Sequence, residues 1–108
     1  MVYQHKNLAK GGWQKLSFLA QMANIGSEVI RALNWRAKNN EEYAQNAFER
    51  SLELFDLTSA DPKNISRLGE VLRARECWVD FFAYDNEYNS TEKQWEKYFF
   101  AFNWAANK

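Results

Sequence analysis

One cysteine, one histidine, one proline and four glycines are all that this 108-residue chain holds of those four residue types. Each shortage removes a class of protein. The lone Cys77 excludes an internal disulfide and a cysteine-based zinc site. His5 is the only histidine, so Ser-His-Asp and Cys-His arrangements lack their base and histidine-rich metal sites lack their ligands. The Glu-x-x-His pattern of carboxylate-bridged di-metal bundles is absent, as is any glycine-rich phosphate loop. No metal or cofactor is expected. Charge of one sign is missing too: fourteen Lys plus Arg balance fourteen Asp plus Glu, which gives no global basic field for general nucleic-acid affinity. No apolar run approaches the roughly eighteen residues of a membrane span. Polar residues throughout Met1 to Lys15 also argue against a signal peptide. A cytoplasmic protein with no membrane association is the expectation.

What is present reads as helix. Apolar residues recur at spacings of three and four, with few breakers between them, so the class is all-α. The expected architecture is a four-helix bundle, antiparallel and up-and-down. It forms one domain over 1–108, with 1–12 as a flexible N-terminal arm. The first helix is placed from about Trp13 to Ala37 after Gly11-Gly12. Its stripe is Leu16, Leu19, Ala23, Gly26, Ile30 and Leu33, widened by Phe18, Met22, Ile25 and Val29. Small Ala23 and Gly26 would admit a second helix closely. Asn39-Asn40 closes the first helix or caps the second, which is placed from about Glu41 to Thr58 with Glu41 and Glu42 at its positive end. Ala44, Ala47, Phe48, Ser51, Leu54, Phe55 and Thr58 form its inner face, leaving Gln45, Glu49, Glu53 and Asp56 to solvent.

Asp61-Pro62 ends that helix and starts a third, roughly Pro62 to Ala83. Its stripe is Ile65, Leu68, Leu72, Val79 and Phe82, flanked by Val71 and Trp78. Arg75 interrupts the stripe between Leu72 and Val79, and a guanidinium there requires a partner. Three readings stay open: its stem carries the charge to the bundle rim, it joins an ion pair within the bundle or across a dimer, or it meets a ligand. Glu76 and Asp80, with Arg73 beside them, complete a compact charged cluster. The fourth helix starts at Ser90 or Thr91, where Thr91-Glu92-Lys93-Gln94 fits a capping box.

Eleven of the eighteen aromatic residues lie between Trp78 and Trp104. Trp95, Tyr98, Phe99, Phe102, Ala105 and Ala106 share the inner face of the fourth helix. Phe100 and Trp104 fall on the opposite face with Lys93 and Lys97, and exposed apolar patches of this kind mark interfaces. Trp13 and Trp35 lie on the polar face of the first helix with Asn24, Glu28 and Arg31. Together these four aromatics form a candidate homodimer interface; cover by the N-terminal arm or by the 84–90 connection is the alternative. In that connection Asp85, Asn86, Asn89 and Ser90 are turn and cap formers, pinned by Tyr84 and Tyr88. The second reading of Asp85, Asn86, Glu87 and Tyr88 is a recognition edge beside the Arg75 cluster.

Two resemblances add to this. Met22-Ala23-Asn24-Ile25-Gly26-Ser27-Glu28-Val29, Leu54-Phe55-Asp56-Leu57-Thr58, Asp61-Pro62-Lys63-Asn64 and Asp85-Asn86-Glu87-Tyr88-Asn89-Ser90-Thr91 resemble an uncharacterised family of small prokaryotic all-α proteins. That resemblance runs over nearly the whole chain and implies a small bacterial or archaeal protein with no assigned activity. Arg75-Glu76-Cys77-Trp78-Val79-Asp80-Phe81-Phe82 is similar in spacing to the signature of the HEPN superfamily, which has Arg, a polar residue, three variable residues and His. Asp80 stands at the histidine. This resemblance implies that Arg75, Glu76 and Asp80 line a dimer groove facing RNA or a nucleotide, with a nucleotidyltransferase as partner. The expected function is therefore a non-catalytic interaction or regulatory homodimer, with or without a further protein partner. The alternative is a HEPN-like nucleotide- or RNA-associated protein using Arg75 and Asp80.

Overall fold

Side-chain caps set where three of the four α-helices begin. The structure, a computed structural model, describes residues 11–107; most of the expected N-terminal arm, including His5, lies outside them. Helix α1 spans Phe18–Ala37, α2 Glu41–Ala60, α3 Leu68–Ala83 and α4 Glu92–Ala106. Ser17 Oγ accepts from the Ala20 amide at 3.1 Å, and Asn40 Oδ1 accepts from Tyr43 at 3.1 Å. Thr91 and Gln94 form the full reciprocal capping box. Caps of this kind are each worth about 1 kcal/mol.

Two of the expected helix starts move. The first helix begins at Phe18, because Trp13–Lys15 forms a separate 3-10 turn and Leu16 is extended before the Ser17 cap. The third begins at Leu68, preceded by a 3-10 segment over Pro62–Arg67 that Asp61 caps. A 3-10 segment turns three residues per revolution instead of 3.6, so a stripe extended through it loses phase. Val71, Ala74 and Trp78 are the buried residues of α3, whereas Ile65 is 74% and Leu72 48% exposed. Arg75 consequently leaves the middle of the apolar arc for its margin, where it is only partly buried.

The chain order closes into an up-and-down, antiparallel four-helix bundle. Gln21 near the start of α1 meets Asp61 after α2, and Trp35 near its end meets Tyr43 at the start of α2. Phe48 stacks on Phe82 while Asp56 pairs with Arg75, which runs α3 back along α2. Trp78 touches Trp95 and Glu70 touches Tyr98, reversing α4 against α3. Phe18 against Phe102 then seats α4 on α1. All seven residues expected on the inner face of α2 are buried. Glu53, expected in solvent, is buried with them, because α1, α3 and the Trp13 turn all pack on α2 and widen its covered arc. Glu28, expected on a polar face, is likewise buried between Arg31 and Arg50, at 2.9 and 3.0 Å.

A polar network closes one end of the bundle. Gln21 Nε2 donates to the Trp13 carbonyl at 3.0 Å and to Asp61 Oδ2 at 2.8 Å. Asn64 Nδ2 donates to Gln21 Oε1 at 2.8 Å and to the Thr58 carbonyl at 3.0 Å. Trp13 Nε1 donates to Thr58 Oγ1 at 2.9 Å. All five residues are buried, and such groups are tolerated inside a protein only when paired.

Candidate functional site

The α1/α4 seam owes its shape to Gly26. A Cβ there would come within 2.7 Å of Phe99 Cβ, so only glycine lets α4 settle this close to α1. Beyond the contact the helices diverge around a groove of about 640 Å³, lined by Ala23, Gly26, Trp35, Phe99, Phe100 and Asn103. Phe100 is 66% exposed and Trp104, one turn further along α4, is 57% exposed. Trp35 is half-buried, with its ring edge-on to Tyr43 at 4.9 Å and Lys38 Nζ 5.2 Å from its centre. Arg31 from α1, Lys38 just past its end and Glu96 from α4 also line the groove.

Of the four aromatics expected to share an interface, the structure brings Trp35 and Phe100 into one groove and leaves Trp104 exposed on the same helix as Phe100. Trp13 does not join them. It is 1% exposed and belongs to the core, because the 3-10 turn preceding α1 directs it toward Thr58 instead of along the outer face of α1.

The charged cluster of α3 divides in two. Arg75 Nε pairs with Asp56 Oδ1 of α2 at 3.0 Å. Asp80 instead accepts the backbone amides of Glu87 and Tyr88 at 2.9 and 3.1 Å, and Glu76 accepts the Tyr88 hydroxyl at 2.8 Å. Arg75 and Asp80 thus engage different partners, the one on α2 and the other in the 84–90 connection. Asn86 holds the connection from within, since its side chain bonds both the amide and the carbonyl of Ser90, at 2.8 and 2.9 Å. Asn86 and Asn89 adopt φ of 53° and 55°, a left-handed conformation that asparagine tolerates better than most residues. A depression of about 340 Å³ lies here among Glu76, Asp80, Tyr84, Asp85, Glu87 and Tyr88. The hydrogen bond to Glu76, and then its charge, raise the Tyr88 phenol above its ordinary pKa and keep it a donor. These carboxylates thus anchor the loop. Among the described residues no group of three or more His, Cys, Asp or Glu is placed to hold a metal ion.

A second seam was not visible in the sequence. Between α3 and α4 lies a groove of about 570 Å³ whose lining includes Arg73, Ala74, Cys77, Gln94, Trp95 and Tyr98. Burial, and then the Glu70 carboxylate, hold the Tyr98 phenol well above its ordinary pKa, and Tyr98 Oη donates to Glu70 at 3.3 Å. Burial followed by the charges of Glu76 and Asp80 raises the Cys77 thiol, which makes it a weak nucleophile at neutral pH. The sequence signal for this groove is the doublet of apolar and small residues at 74 and 77 facing Trp95, legible only once the phase of α3 is known.

No helix among the described residues is long and apolar enough to cross a membrane. No family model, curated protein or solved structure matches this chain.

Proposed function

We propose that this protein acts by binding and not by catalysis, as a homodimer joined across the α1/α4 face. The observation that carries the reading is Phe100, 66% exposed at the lip of a groove that Trp35 and Phe99 also line. A large exposed ring beside an apolar groove suits an isologous contact, in which each copy inserts the same residue into its partner. Rim charges support the same arrangement. Arg31 stands on α1, Lys38 at its C-terminal cap and Glu96 on α4, so a two-fold axis that lays α1 against the α4 of a second copy sets cations opposite a carboxylate. The two grooves of such a dimer leave the 84–90 connection and the α3/α4 seam open to further partners.

Light scattering coupled to size-exclusion chromatography tests this. The native protein is expected at the mass of two chains, and Phe100→Ser with Trp104→Ser at the mass of one, with unchanged helical circular dichroism. A native protein that runs as a single chain overturns the reading, and so does a double variant that remains a dimer.

A further inference from the structure

The stretch from Ile65 to Arg73 hangs between two fixed posts. On one side Asn64 is buried and donates to Gln21 Oε1 and to the Thr58 carbonyl. On the other, Ala74 and Trp78 are buried, with Trp78 Nε1 donating to Ser51 Oγ at 2.9 Å and its ring packed among Phe48, Phe82 and Trp95. Between the posts only Val71 is buried, and the apolar side chains of Ile65 and Leu72 lie exposed. Folding this stretch therefore removes little apolar surface from water, although it orders as many backbone bonds as any other turn.

Its local chemistry is weak as well. The stretch opens in 3-10 geometry, whose hydrogen bonds are poorer than those of an α-helix. Among the described residues α3 is the one α-helix that starts without a side-chain cap. Gly69 follows in its first turn and lowers helix propensity there. A Cβ at Gly69 would meet nothing within 4 Å, so no close packing offsets that cost. Two side-chain contacts tie the stretch to other helices: the Arg67 guanidinium lies 4.3 Å from the Phe18 ring, and Glu70 accepts from Tyr98 Oη at 3.3 Å. Arg67 and Glu70 are both more than a third accessible to solvent. Beyond them the groove of about 570 Å³ separates Gly69, Glu70 and Arg73 from Gln94, Trp95 and Tyr98 of α4.

We propose that residues 65–73 form a hinged flap that opens as one unit while α1, α2 and α4 stay folded. Segments with few buried apolar contacts and exposed backbone hydrogen bonds are the ones that open below the global unfolding free energy. Asn64 and Ala74 mark the hinges, because burial resumes at each. Opening lifts Val71 from the core and deepens the α3/α4 groove toward Trp95, which is only 6% exposed when the flap is closed. The groove is thus the closed form of a larger cleft. None of the flap residues lines the α1/α4 face, so this inference does not rest on the proposed dimer.

Hydrogen exchange of the native protein, followed by NMR at a series of urea concentrations below the unfolding transition, tests this. The amides of Leu68, Leu72 and Arg73 have acceptors inside the flap: the Ile65 carbonyl for Leu68, and the carbonyls four residues back for the other two. Ile25 of α1 and Phe55 of α2, both fully buried, supply reference amides. The three flap amides are expected to share one exchange free energy, with protection at least about a hundredfold below the reference, and to respond little to urea because little surface opens. Val29→Ala is expected to speed exchange at Ile25 and Phe55 alone. Gly69→Ala strengthens the flap against both local and global opening, so it should slow all five amides by one common factor of up to about fivefold. Flap amides as protected as the reference overturn the proposal. Protection that climbs steadily from Leu68 to Arg73 marks simple end fraying and overturns it too, as does a flap that answers Val29→Ala like the reference or that Gly69→Ala leaves unchanged.

Discussion

Gly26 and Phe99 are packed so closely that a methyl group on the glycine would stand 2.7 Å from the phenylalanine Cβ and 2.9 Å from its ring. Gly26→Ala is expected to destabilise the fold. Overpacking costs about 1–3 kcal/mol, more than the gain of up to about 1 kcal/mol from improved helix propensity. Gly69→Ala should do the reverse, because its Cβ meets nothing and only the propensity gain remains. Urea denaturation midpoints that move in the same direction for both variants would refute the close contact.

Asp61 gives the acid limb of the stability curve a specific cause. Burial works against its carboxylate, but hydrogen bonds from Lys63 Nζ, Gln21 and the Lys63 backbone, with the Lys63 charge, hold its pKa below the ordinary 3.8. A folded-state pKa lower than the unfolded one contributes stability that is present above the unfolded value and lost as pH falls through the folded value. Stability of the native protein should therefore decline below about pH 4, and the decline should be shallower in Asp61→Asn, which starts from a lower plateau. Urea titrations across that range decide the matter; parallel acid limbs would remove Asp61 as the cause.

Arg75 and Asp56 form an ion pair in which both side chains are more than a third accessible. Pairs this exposed contribute about 0–1 kcal/mol. Arg75→Ala is expected to leave a folded protein weakened by no more than that, and a double-mutant cycle with Asp56→Ala should return a coupling energy of the same size. A coupling of several kcal/mol would show that Arg75 is held as a buried charge.

Helix ends were legible because their chemistry is local. Asn40, Asp61-Pro62 and Thr91 with Gln94 each act within three residues, so no tertiary contact could displace them. The inner face of α2 was legible for a related reason: that helix runs unbroken from its cap, and its phase never slips. Phase failed where a 3-10 turn stood between the sequence signal and the helix. Trp13 and Ile65 both lie in such turns, and exchanging 3.6 residues per turn for three placed one wrongly outside and the other wrongly inside. Arg75 inherited the same error from its stripe. Buried Gln21, Glu28 and Asn64 were missed because each has a partner between 22 and 43 positions away in the chain, a separation that periodicity cannot sense. Of the candidate sites, Phe100 and Trp104 emerged correctly as outward-facing from their spacing alone. The α3/α4 groove required Trp95 and Ala74 to be known as neighbours.

The polar network around Gln21, Asp61 and Asn64 also fixes how α1 is set lengthwise against α2. Aliphatic faces accept several such alignments, because one methyl group replaces another at little cost. Sliding α1 by a single turn, about 5.4 Å, would carry Gln21 away from both Asp61 and Asn64 and break its hydrogen bonds to them, at about 1–3 kcal/mol for each buried group left unpaired. The network thus works as a register pin: it adds less to the strength of the bundle than to its uniqueness, and it selects one alignment among several of similar hydrophobic content.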